Sequence, residues 1–152
     1  MNALIDDRQL LALVDDDAHS ARLLVRTLAD QGSPRTEWLG GGLDGARLLS
    51  EMLQENRTQW PSLVIVDLKH DSNATRDFIA GFRPLANDKS VLVVAMAPTL
   101  DRKQRETLLD AGAAAVFQRH AEIAAYRAEA ANIIEFWARH QHPEPVGARF
   151  IA

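Results

Sequence analysis

Three aspartates stand in a row at positions 15 to 17, directly after the apolar run LLALV, and another, Asp67, closes a second apolar run, LVIV. Adjacent carboxylates repel, and aspartate is a poor residue for the interior of a strand or a helix. The cluster therefore requires compensation. If Asp15, Asp16 and Asp67 converge within a few ångströms, each raises the pKa of the others unless a cation sits among them. A hard divalent ion such as Mg²⁺ takes oxygen ligands, and typically uses one or two carboxylates with water and a substrate phosphate. Such a site can bring a phosphoryl group to a carboxylate nucleophile and form an aspartyl phosphate. A cationic side chain facing the same point would balance the charge, and Arg119, in the stretch FQRH, is the candidate.

Convergence depends on the elements that carry these residues. Four compact apolar runs, at 10 to 14, 63 to 66, 91 to 96 and 114 to 117, are bounded by polar or turn residues and predict buried strands. A fifth, TEWLG at 36 to 40, carries charge and suits an edge. Between them the period becomes helical. Ala21, Leu24, Val25 and Leu28 share one face before Gly32, and Thr75, Phe78, Ile79 and Phe82 share another, with Pro84 predicted to end that helix. Further helices are expected from about Asp44 to Asn56, Asp101 to Ala111 and Glu122 to His140. The last places Ile123, Tyr126, Ala130, Ile133, Ile134 and Trp137 on one stripe.

Strands alternating with helices through short connections predict an α/β fold, an open five-stranded parallel sheet covered on both faces. In such sheets functional groups gather beyond the carboxyl ends of the strands, where the strand order reverses. An order of 2-1-3-4-5 makes the first and third strands neighbours and brings Asp15 and Asp16 beside Asp67.

Composition narrows the function classes. The chain of 152 residues has 47% hydrophobic and 25% charged residues, no cysteine and a net charge of −4. One ordinary domain is expected, at about residues 1 to 140, with 141 to 152 as a tail or the start of a linker. The absence of cysteine excludes disulfides and thiolate metal sites. The acidic balance argues against nucleic acid as a partner. No apolar run approaches the length of a membrane span, and a cytoplasmic protein is expected.

The motifs together resemble the receiver domain of bacterial two-component response regulators, over about residues 9 to 140. The likeness rests on the acidic pair in LVDDD, the single aspartate in LVIVDL, and AGAAAVFQRH, which is similar to the family's Gly-Ala segment ahead of its strand-five lysine. The resemblance implies a flavodoxin-like doubly wound fold and a signalling rather than an enzymatic role. It makes Asp67 the phosphoacceptor, with a histidine kinase or phosphotransfer protein as donor. It makes Asp15, Asp16, Asp67 and the backbone carbonyl of Lys69 the ligands of Mg²⁺. Arg119 then stands in place of the lysine as the phosphate's charge partner, and Asp17 falls outside the site as a helix cap. A homodimer through the helix 4, strand 5, helix 5 face is a further expectation, with Tyr126 and Trp137 as contributors.

The chain also departs from the family's pattern. Arginine replaces the lysine, exchanging a compact ammonium for a planar fork. Ala95, Met96 or Ala97 stands where a hydroxyl is expected at the end of strand four, and Val116 stands at the switch aromatic of strand five. His120 replaces a proline, and Asp71 stands where the family generally has proline. These changes motivate the alternative of a pseudo-receiver, an interaction module independent of phosphorylation. Two lesser alternatives are a phosphohydrolase built on Asp15 and Asp17, and a dinucleotide site at the glycines of GGGLDG, Gly40 to Gly45. The first has no downstream partner residues, and the second leaves Asp15 and Asp16 unexplained. His70, His140 and His142 are read as solvated.

Overall fold

Near-continuous apolar runs are what strands need when helices cover both faces of a parallel sheet, and the runs do become such strands. The computed structural model describes residues 9–55, 60–99 and 101–141. The strands are β1 (Leu10–Asp15), β2 (Arg35–Trp38), β3 (Leu63–Asp67), β4 (Leu92–Ala97) and β5 (Ala115–Gln118). They alternate with α1 (Ala18–Asp30), α2 (Gly42–Gln54), α3 (Ala74–Lys89), α4 (Arg102–Ala111) and α5 (Ile123–Gln141). All strand pairs are parallel, in the order β2-β1-β3-β4-β5. The charged strand β2 takes the edge, as its composition predicts.

Alternation along the strands divides the core into two layers. Ala12, Val14, Val64, Val66, Val93 and Ala95 meet Leu49 and Leu53 of α2, Ile79 and Phe82 of α3, and Leu108 of α4. Leu11, Leu13, Ile65, Val94, Met96 and Phe117 meet Leu24 and Leu28 of α1 and Ile133 and Trp137 of α5. The register pairs Leu13 with Ile65, Val14 with Val66 and Asp15 with Asp67. The two apolar runs thus end level, and the first charged residue of each arrives opposite the other.

Three expectations need correction. Helix α3 does not stop before Pro84 but runs through it to Lys89. A mid-helix proline removes the N–H that would bond the carbonyl four residues back, here Ala80. Both Pro84 and Ala80 are exposed, so water can solvate that carbonyl, while buried Phe82 and Ala86 hold the helix on the sheet. The helix instead ends at Ser90, in the left-handed region at φ 59°, with Val91 N–H donating to Ala86 O (2.9 Å). Trp137 is buried and its Nε1 donates to Ser62 Oγ (2.9 Å), so it belongs to the core and not to a dimer face. Ile123 is 54% exposed, so the stripe of α5 begins later than its sequence pattern. The expected tail, including His142, lies outside the described residues, except Gln141, which ends α5. No helix among the described residues is long and apolar enough to cross a membrane.

The first turn of α2 approaches β1 closely at Gly45, where a Cβ would meet Val14 Cγ1 and Cγ2 at 2.9 Å. In an exposed helix Gly→Ala stabilises by about 1 kcal/mol. Here Gly45→Ala should instead destabilise, by about 1–3 kcal/mol, because Val14 is wholly buried and cannot move aside. Urea unfolding of the variant measures the sign directly.

Candidate functional site

The site forms at the carboxyl ends of β1, β3 and β5. Asp15 and Asp67 are the last residues of their strands, 0% and 2% exposed, and Arg119 follows the end of β5. Backbone bonds fix the frame: Arg119 N–H donates to Ala97 O (2.7 Å) and Asp15 N–H to Gly40 O (2.9 Å). From the edge strand, Trp38 Nε1 donates to Asp15 O (2.9 Å). The loop from β3 into α3 is secured by Thr75, whose hydroxyl accepts from Leu68 N–H (3.0 Å) and donates to Leu68 O (3.2 Å).

Asp15, Asp67 and Arg119 converge as expected. Arg119 Nε lies 2.8 Å from Asp67 Oδ1. Lys69 enters differently from its expected role: its side chain, not its carbonyl, reaches the carboxylates. The ammonium Nζ lies 2.7 Å from Asp15 Oδ1 and 3.0 Å from Asp67 Oδ2, and donates also to Asp67 O at 3.2 Å. Asp15 Oδ1 accepts in addition from Asp17 N–H (2.8 Å), whereas Asp15 Oδ2 is buried with no hydrogen-bond partner among the described residues. Asp17 is the helix cap it was expected to be, accepting from Ser20 N–H at 3.0 Å.

Asp16 binds the loop after β3 and has no bond to the Lys69 ammonium or to Arg119. It accepts from Lys69 N–H (3.1 Å to Oδ1, 3.0 Å to Oδ2) and from His70 N–H (3.0 Å). The His70 ring places Nδ1 2.8 Å from Asp16 Oδ2. Since an ionised carboxylate only accepts, Nδ1 carries the proton. His70 is therefore a partner within the cluster, though its side chain is 59% exposed.

The charges respond to these surroundings. Burial pushes the Asp15 carboxyl above its ordinary value, outweighing the Lys69 ammonium and the Asp17 N–H that favour ionisation. For Asp16 burial acts the same way, but the His70 ring and the N–H groups of Lys69 and His70 outweigh it and hold the carboxyl low. On α5, burial lifts the Tyr126 hydroxyl to about 12, and the charges of Asp67 and Asp15 add to the effect. Tyr126 thus remains protonated beside the site.

The arrangement does not fit the expected Mg²⁺. Asp15 Oδ1 and Asp67 Oδ2 aim at one point, and the Lys69 ammonium stands there. Asp16 is committed to backbone N–H groups, and Lys69 presents its own N–H to Asp16. Among the described residues no group of three or more His, Asp or Glu side chains could hold a metal ion. The orphaned Asp15 Oδ2 is a single acceptor, short of the ligands a hard cation requires.

Two residues escaped the sequence reading in these roles. Lys69 had a signal, because side chains two apart in an extended segment leave on the same side, which puts it beside Asp67. For His70 there was none, since its partner Asp16 lies on another strand end.

The sequence matches no protein-family model and no curated protein. Solved structures do match. The phosphorylated cyanobacterial phytochrome response regulator RcpA superposes with a TM-score of 0.70 at 19% identity, covering 86% of this chain and 94% of that one. Response regulator Rcp1 in its Mn²⁺-bound form gives 0.65 at 18% identity, over 84% and 93%. A receiver domain from Rhodospirillum rubrum gives 0.62 at 18%, over 85% and 93%.

Acid stability follows from Asp16. Its folded pKa lies below the ordinary 3.8, so its stabilisation is present above that value and is lost as pH falls through the folded pKa. Asp16→Asn should lower unfolding free energy near neutral pH by about 1 kcal/mol, and the gap to wild type should narrow below about pH 4. Urea titrations across that range check both parts. From strand order, register and the neighbours together, the chain has the fold of response-regulator receiver domains.

Proposed function

We propose that this chain is a receiver-type signalling domain acting as a protein-binding module, its state not set by phosphoryl transfer to Asp67. One observation carries the reading: both carboxylate oxygens of Asp67 are held by cations of its own chain, Oδ1 by Arg119 and Oδ2 by Lys69. For Asp67 to attack phosphorus, a phosphoryl group must reach an oxygen that already sits in an ion pair, on a residue that is 2% exposed. The cavity over this region, about 230 Å³, is lined by Lys69, Thr75, Met96 and Arg119 but not by Asp67. An incoming phosphoryl donor meets the two cations before the nucleophile.

The residues that would transmit a phosphoryl event point the same way. Strand β4 ends on the buried Ala97, and Val116 is a buried aliphatic of β5. Neither offers a hydroxyl to a phosphoryl oxygen or an aromatic ring to rotate. In this reading the domain performs no turnover and uses no Mg²⁺. Its partners are other proteins of a signalling pathway.

A second reading has Asp67 accept a phosphoryl group from a histidine kinase or phosphotransfer protein. It is favoured by Arg119, whose guanidinium both touches Asp67 and lines the cavity, where it could neutralise phosphoryl oxygens.

Intact-mass measurement after incubation with acetyl phosphate and MgCl₂ separates the two. The binding-module reading expects no added phosphoryl group in wild type or in Asp67→Asn. Addition of one group to wild type and none to Asp67→Asn would establish the second reading instead.

A further inference from the structure

We propose that Lys69 is the resident cation of this site: its ammonium fills the position between Asp15 and Asp67 that a divalent ion would need, and so excludes one. The inference deepens the preceding reading of the same cluster. Nζ donates hydrogen bonds to Asp15 Oδ1 and Asp67 O and forms an ion pair with Asp67 Oδ2, so three oxygens surround the ammonium. Two of these belong to the carboxylates that register sets opposite each other at the strand ends. An ion coordinated at about 2.0–2.1 Å by the same two oxygens would overlap the ammonium. Metal entry therefore requires Nζ to leave, and its cationic partner Arg119 is engaged on the other oxygen of Asp67 and cannot substitute.

Displacement is opposed from two further directions. The Lys69 side chain is 25% exposed, and the backbone N–H of the same residue is anchored on Asp16. The second anchor fixes the loop that carries the side chain. A departing ammonium would also remain tethered beside the incoming dication, and like charges at that distance repel. Removing the ammonium leaves the opposite situation. Asp15 is then left with no cation and Asp67 with Arg119 alone, so buried carboxylate oxygens face an unfilled position, which is the condition that draws a divalent ion in.

The test is Mn²⁺ binding followed by the loss of the free-ion electron paramagnetic resonance signal, on wild type, Lys69→Ala and the double variant Asp15→Asn, Lys69→Ala. Lys69→Ala should bind one Mn²⁺ at least about tenfold more tightly than wild type, and the double variant should lose the gain. Equal affinity in wild type and Lys69→Ala, or no uptake by a folded Lys69→Ala, overturns the proposal. A measurement on wild type alone guards against a variant that fails to fold. Its melting temperature should be the same in EDTA and in about 10 mM MgCl₂, and a rise of several degrees overturns the proposal. Tight Mn²⁺ binding by wild type without phosphoryl addition would sink this inference alone. Phosphoryl addition to a wild type whose Mn²⁺ affinity stays well below that of Lys69→Ala would sink only the binding-module reading.

Discussion

Two carboxylates forced level with each other at the ends of adjacent parallel strands set the terms for the rest of this molecule. The register that aligns Leu13 with Ile65 and Val14 with Val66 necessarily brings Asp15 opposite Asp67. Both residues are withdrawn from water, where a buried charge is costly without an opposite charge beside it. The answer is distributed over three elements: Lys69 from the loop after β3, Arg119 from the end of β5, and the Asp17 amide at the start of α1. The Thr75 hydroxyl clamps the loop that delivers Lys69, and the Trp38 indole ties the edge strand to the carbonyl of Asp15. Secondary structure at this end of the sheet is arranged around charge balance as much as around burial.

The architecture was legible because its signal is redundant. Each buried strand is an apolar run, each helix shows a periodic face, and the alternation of the two admits few topologies. Position along a strand also carried Asp15, Asp67 and Arg119 to one place. What sequence conveyed poorly was how side chains choose among partners. Lys69 was assigned through its backbone, yet a flexible four-carbon stem beside two buried carboxylates goes to them by electrostatics. Adjacency groups Asp16 with its neighbours, but it lies just past the end of β1 and accepts from two N–H groups of the loop after β3 instead. The helix through Pro84 was missed for a related reason: a local penalty was visible in sequence, and the packing of Phe82 and Ala86 that outweighs it was not.

The likeness to solved receiver domains is one of fold, at 18–19% identity. The shared fold supplies the crevice, and the residues in it determine the chemistry. In this chain, the crevice holds an acidic pair and a cation at the end of β5, with aliphatic and charged residues around them. The charges of this site are paired with one another across three elements, while Asp15 Oδ2 is left without a partner among the described residues.

Where the cation comes from has a consequence for how the domain experiences its environment. A site completed by a dissolved ion obeys mass action and reports the supply of that ion. An ammonium tethered two residues from its carboxylate has a local concentration fixed by the length of its own side chain. It cannot be chelated away, diluted or exchanged. The occupancy of the crevice is then an inherited quantity, written in the chain, instead of a physiological one.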